Sequence, residues 1–101
     1  MVTYICDIFA LVCSDWHFGG RWMTDPKTAL QILKKYRFKK LVFIGDLFDS
    51  IRHLTDDEKK VVEYLKKLDV GKLYFKGNHD TDEHVRYIKD LGFEIVPEHE
   101  Y

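Results

Sequence analysis

Short strand-like runs alternate with longer segments of helical periodicity along this chain, and that alternation leaves few folds open to it. The runs fall at residues 8–14, 41–44, 72–75 and 93–96. Each is too short for a helix, and the intervening segments place apolar residues three and four apart. Repeated βαβ units have this pattern. Residues 2–13 form one apolar stretch whose beginning reads as a lead-in to the first strand. Residues 41–44 are uninterrupted and apolar, as expected of a strand covered on both faces.

The helices carry their own start and stop signals. Asp25-Pro26 reads as an N-cap followed by proline at the first helical position, opening a helix to about residue 36. Ala29, Leu30, Leu33 and Tyr36 share its inner face. Thr55 and Glu58 form a capping box for a second helix running to about residue 68. Val61, Leu65 and Leu68 form its inner stripe, with Glu63 and Lys67 paired outside. A third helix is expected over residues 82–91, with Asp80 and Glu83 as a capping box and Gly92 ending it. Right-handed crossovers make such strands parallel and bring their C-terminal ends to one edge. The expected fold is therefore α/β, ordered βαβαβαβ, with a mostly parallel sheet.

With 101 residues, the chain forms a single domain, 1–101. A hydrophobic fraction of 46% and a charged fraction of 33% are those of a soluble globular protein. Sixteen basic against seventeen acidic residues leave a net charge of -1. That balance excludes a protein devoted to neutralising a nucleic-acid backbone, though not one with nucleic acid as substrate. The apolar N-terminal stretch has no Lys or Arg before it, carries Asp7, and is about half the length of a membrane span. It is expected to be a buried strand of a cytoplasmic protein with no membrane partner. Cys6 and Cys13 have opposite strand parity and read as reduced core residues. The basic stretch Lys34, Lys35, Arg37, Lys39 and Lys40 suits a solvated helix C-terminus, or the wall of a groove for a phosphate-rich substrate.

The chemistry lies at the strand ends. Ser14-Asp15-Trp16-His17 follows the first strand, Gly45-Asp46-Leu47-Phe48-Asp49 the second, and Gly77-Asn78-His79-Asp80 the third. Ligands of open α/β sheets bind beyond the carboxyl ends of the strands, so all three clusters reach one crevice. A carboxylate and an imidazole two residues apart can converge on one cation, and a second carboxylate from the neighbouring strand can bridge two. This mixture of O and N donors suits Mn²⁺, Fe or Zn²⁺ better than Ca²⁺ or Mg²⁺. The glycines at 45 and 77 let the backbone turn sharply there.

Together, Asp15-x-His17, Gly45-Asp46-x-x-Asp49 and Gly77-Asn78-His79-Asp80 resemble the ordered motifs of the calcineurin-like metallophosphoesterases, over nearly the whole chain. The resemblance implies the first half of the four-layered fold of that family. It implies phosphomonoester or phosphodiester hydrolysis through two divalent ions, Mn²⁺ above all, with Fe, Zn²⁺ or Ni²⁺ as alternatives, and a bridging hydroxide. Asp15 and His17 would bind the first ion, Asp46 would bridge, and Asn78 would bind the second. His79 would face the phosphate with Asp80 holding its imidazole, and Asp49 would position the metal site from behind. The later blocks of the family, a strand-end His and Gly-His-x-His, have no counterpart here. His53, His84 and His99 read as solvated surface residues. Such a chain is expected to be an enzyme in its own right, to be completed by a second chain or a homo-oligomer, or to be a non-catalytic metal-binding remnant. Nuclease-type members of the family make nucleic acid an alternative substrate.

Overall fold

The computed structural model describes residues 2–5, 10–21, 23–77 and 80–96. In chain order these form β1 (Val2–Ile5), β2 (Ala10–Ser14), α1 (Pro26–Lys35), β3 (Lys40–Ile44), α2 (Asp56–Lys67), β4 (Gly71–Phe75), α3 (Asp82–Asp90) and β5 (Glu94–Val96). The sheet runs β1-β2-β3-β4-β5, with β2 to β5 mutually parallel. The α/β, mostly parallel architecture expected from the periodicity is the one observed.

The N-terminus departs from expectation. Instead of a lead-in, β1 is a strand of its own, antiparallel to β2, with Val2 opposite Ser14 and Ile5 opposite Leu11. It satisfies the backbone groups along the outer edge of β2, which would otherwise be an open edge. The start expected for the first strand, Ile8, and Cys6 lie outside the described residues, whereas Cys13 is buried.

Strands that pair in sequence order, joined by right-handed crossovers, place every helix on one face. Under the helices lie Leu11, Cys13, Leu41, Phe43 and Tyr74, packed with Ala29, Leu33, Val61, Leu65 and Ile88. An aromatic file threads this core: Trp16 meets Phe43 edge-on at 5.0 Å, Phe43 stacks on Tyr74 at 5.7 Å, and Tyr74 meets Phe93 at 6.1 Å. On the opposite face Val42 lies beside Leu73, and Ile44 beside Phe75. No described helix covers that face, and Ile44 is 51% exposed. The expectation that β3 is covered on both faces is thus corrected; its apolar run spans a core face and an open one.

The helix ends follow local chemistry, with two corrections. Asp25 caps α1 and accepts from Lys27 N, and Thr55 with Glu58 forms the full capping box of α2. For α3 the cap is Thr81, whose Oγ1 accepts from His84 N at 3.1 Å, and not Asp80. Glu83 instead takes a two-pronged ion pair from Arg52. On α2 the ion pair is Asp57 with Lys60 at 3.8 Å rather than Glu63 with Lys67. No described helix is long and apolar enough to cross a membrane.

Lys72, on the helix side of β4, joins two helix ends. Its ammonium donates to Leu65 O at 2.9 Å and Lys66 O at 3.4 Å in α2, and to Leu91 O at 2.9 Å after α3. A cation at two helix C-termini meets the negative ends of both dipoles. Burial pulls the ammonium below its ordinary pKa, with Asp69 opposing. Lys72→Met, which keeps the stem and removes the charge, is expected to cost about 1.5–3 kcal/mol of stability. A urea melt with unchanged m-value would measure the loss.

Candidate metal centre

Beyond the strand ends, the segments after β2 and β3 continue side by side. His17 N donates to Asp46 O at 3.0 Å, Phe18 N to Leu47 O at 2.9 Å, and Asp49 N to Phe18 O at 2.8 Å. Phe18 and Phe48 form a parallel bridge. Side chains alternate along the first segment: Trp16 and Phe18 are fully buried, while Asp15 and His17 remain half-exposed towards the crevice. The spacing Asp-x-His thus follows from a two-residue alternation in which the intervening residue is a core anchor.

Asp15, His17 and Asp46 each present a donor atom, all within 4.8 Å of one another. Donors sharing one cation with bonds of ~2.1 Å lie about 3–4 Å apart, so a small closure suffices. His17 Nε2 and Asp15 Oδ1 are already at 3.7 Å. Two carboxylates and an imidazole are a donor set for a divalent transition ion. The same three residues are the only described non-glycine residues with positive φ: Asp15 at 58°, His17 at 54° and Asp46 at 57°. The left-handed region costs an L-residue about 1–2 kcal/mol. Asp and His tolerate it better than most, and strain of this kind clusters at functional sites.

Asp49 Oδ1 accepts from His17 Nδ1 at 2.8 Å. A carboxylate there fixes the proton on Nδ1 and leaves the Nε2 lone pair towards Asp15 and Asp46, as behind many metal-ligating histidines. Ser14 Oγ donates to Asp15 Oδ2 at 2.9 Å, steadying that carboxylate.

Asp80 ties the third strand end to this pair. Its Oδ2 accepts from Gly77 N at 2.7 Å, Tyr74 Oη at 2.9 Å and Asp46 N at 3.4 Å. Tyr74 Oη in turn accepts from Leu47 N at 3.2 Å. Burial pushes the Tyr74 phenol far above its ordinary pKa; the Leu47 N–H opposes this and the Asp80 carboxylate adds to it, so the hydroxyl stays a donor. The turns are also in direct contact: Gly45 has φ 67°, and a Cβ there would meet Gly77 Cα at 3.0 Å. A Cβ at Gly77 would in turn lie 3.2 Å from Gly45 Cα and Asp46 Oδ1, so both positions are tight.

The sequence-predicted site residues thus divide into groups. Asp15, His17 and Asp46 are brought together, with Asp49 behind His17 and Asp80 beneath Asp46. Asn78 and His79 lie outside the described residues, as does His99. His53 is exposed in the loop before α2. His84, expected at the surface, is buried at 8% exposure, with its ring centroid 6.4 Å from that of Phe48 in an edge-on arrangement. It packs on the inner face of α3, so the polar label of the residue misled. Tyr74 was missed altogether. Its signal is a tyrosine at an inward strand position, where the hydroxyl needs a partner.

Comparisons with known proteins bear on this geometry. The family model described as calcineurin-like phosphoesterase matches residues 10–100. Among solved structures the chain is similar to the Pseudomonas putida nuclease MPE, with a TM-score of 0.60 and 20% identity. That similarity covers 86% of this chain and 46% of the nuclease chain, so this chain spans about half the length of that relative. No curated protein matches the chain.

Gly20 supplies a test of the centre. A Cβ built there collides with the Asp49 carboxylate. Gly20→Ala is therefore expected to push Asp49 off His17 and, like Asp49→Asn, to weaken Mn²⁺ binding about tenfold or more. Isothermal calorimetry with Mn²⁺ on both variants would measure it.

Proposed function

We propose that this chain, which belongs to the calcineurin-like phosphoesterase family, is a metal-dependent hydrolase of phosphoesters whose first ion is held by Asp15, His17 and Asp46. The observation that carries this reading is the convergence of those three donors within 4.8 Å, each on a left-handed backbone. Asp46 would also help to hold a second ion, for which Asn78 would be the further ligand. Mn²⁺ fits the donor mixture, with Fe, Zn²⁺ or Ni²⁺ as alternatives. When bound, such ions lower the pKa of water and take up charge on the phosphoryl oxygens.

The chain's own residues supply the remainder. Asp49 keeps the proton of His17 on Nδ1. In this reading His79 would give a proton to the leaving oxygen. Asp80 holds the His79 imidazole in this reading. Its Oδ2 is taken by three donors, whereas Oδ1 is buried with no partner among the described residues, and Oδ1 is the atom assigned to that task. Asp80 thus serves both the Asp46 turn and the proton donor.

A nucleic-acid substrate is the second reading, favoured by the likeness to a nuclease. The basic stretch contributes little to the crevice. Lys34 lines a groove of about 330 Å³ with Lys60, Lys67, Tyr64, Glu63 and Leu30, between the outer faces of α1 and α2. Helices antiparallel to the strands place their C-terminal halves away from the edge that carries Asp15 and Asp46.

The direct experiment is hydrolysis of bis(p-nitrophenyl) phosphate by the purified chain. Added Mn²⁺ is expected to stimulate it and a chelator to abolish it. Asp46→Asn or His79→Ala is expected to lower the rate about 10²-fold or more. A rate indifferent to chelator and to both substitutions overturns the reading. For the nucleic-acid alternative, affinity for single-stranded DNA is expected to fall steeply between about 50 and 200 mM salt. A flat profile by fluorescence anisotropy counts against it.

A further inference from the structure

Glu58 is the one described acidic side chain with no exposure, and the capping box explains only half of it. Its Oε1 accepts from Thr55 N at 2.8 Å, completing the cap of α2. Its Oε2 accepts from Gly19 N, also at 2.8 Å, across 39 residues of chain. Gly19 lies two residues after His17. A capping-box carboxylate needs only one oxygen and has no need of burial. Placing a charged group fully inside costs free energy unless each oxygen finds a donor, and here both do. The first turn of α2 adds a favourable dipole.

The turn that Glu58 grips is the one that carries the imidazole. His17 and Gly19 have φ of 54° and 83°, so the chain reverses through two left-handed residues. Its other backbone groups bond within the paired segments: Phe18 N to Leu47 O, Gly20 N to His17 O, and Phe18 O to Asp49 N and Ser50 N. Gly19 N is the donor that points out of this ladder, and it ends on Glu58. Thus α2, which packs on the core, and the turn holding His17 share one buried carboxylate.

We propose that Glu58 is a positioning residue for the metal centre. Through Gly19 N–H it holds the His17 turn in its left-handed course and so keeps Nε2 near Asp15 and Asp46. The inference rests on the metal-centre reading above, and its test separates the two. Thr55→Ala removes the bond from Glu58 N to Thr55 Oγ1, weakening the α2 cap, yet leaves the Glu58–Gly19 bond intact. Glu58→Ala removes both functions, and Glu58→Gln keeps the shape with one acceptor oxygen in place of two.

The probe is Mn²⁺ alone, followed by electron paramagnetic resonance titration alongside thermal unfolding. Glu58→Ala is expected to raise the Mn²⁺ Kd about tenfold or more and to alter the bound-ion spectrum. Glu58→Gln is expected to lie between it and wild type. Thr55→Ala is expected to lower the melting temperature while keeping the Kd within twofold of wild type. If Glu58→Ala does not fold, Glu58→Gln carries the comparison. A Glu58→Gln Kd equal to that of Thr55→Ala, with an unchanged spectrum, overturns the role of Glu58 alone. A wild-type chain that binds no Mn²⁺ overturns the metal centre and this inference with it.

Discussion

The site depends on one constraint: the loops after β2 and β3 stay hydrogen-bonded to each other past the strand ends. This continued pairing, from His17 N to Asp46 O through Asp49 N to Phe18 O, fixes the spacing between the two motifs that carry the donors. It also offsets local strain. Three left-handed residues at about 1–2 kcal/mol each are tolerable only where several interactions over-determine the backbone. Trp16, Phe18, Leu47 and Phe48 help by burying themselves in the core and leaving Asp15, His17 and Asp46 on the other side of the chain.

Around that pairing, buried and half-buried polar groups act as ties between remote segments. Asp80 and Tyr74 join the turn after β4 to Asp46 and Leu47, and Lys72 joins the ends of α2 and α3. Each tie is made where burial would penalise an unsatisfied group, so losing one partner exposes the full cost of the other. The strand-end residues are held mostly by backbone and buried side chains rather than by surface ion pairs, which contribute little.

The sheet itself is one-sided. Because all crossovers run in the same direction, the helices cover one face and leave Val42, Ile44, Leu73 and Phe75 on the other, without a described helix above them. This face is made by the strands themselves, whereas Asp15, His17 and Asp46 follow the strand ends. Its apolar composition shows why residues 41–44 read as an ordinary buried strand: an uninterrupted apolar run does not say which layer covers which side.

The amino-acid order alone determined the donors and their sequence along the chain, the alternation of strands and helices, the proline start of α1 and the capping box of α2. These are short-range properties, set by periodicity and by residues within four positions of each other. Only the tertiary structure decided that residues 2–5 form an antiparallel strand, because no glycine or proline separates them in sequence from β2. It decided that Thr81 caps α3 while Asp80 turns to Tyr74 and Gly77. It likewise paired Asp49 with His17 and Glu58 with Gly19. A carboxylate takes whichever donor the fold brings within about 3 Å, and across 32 or 39 residues of chain that distance is fixed by packing, not by spacing.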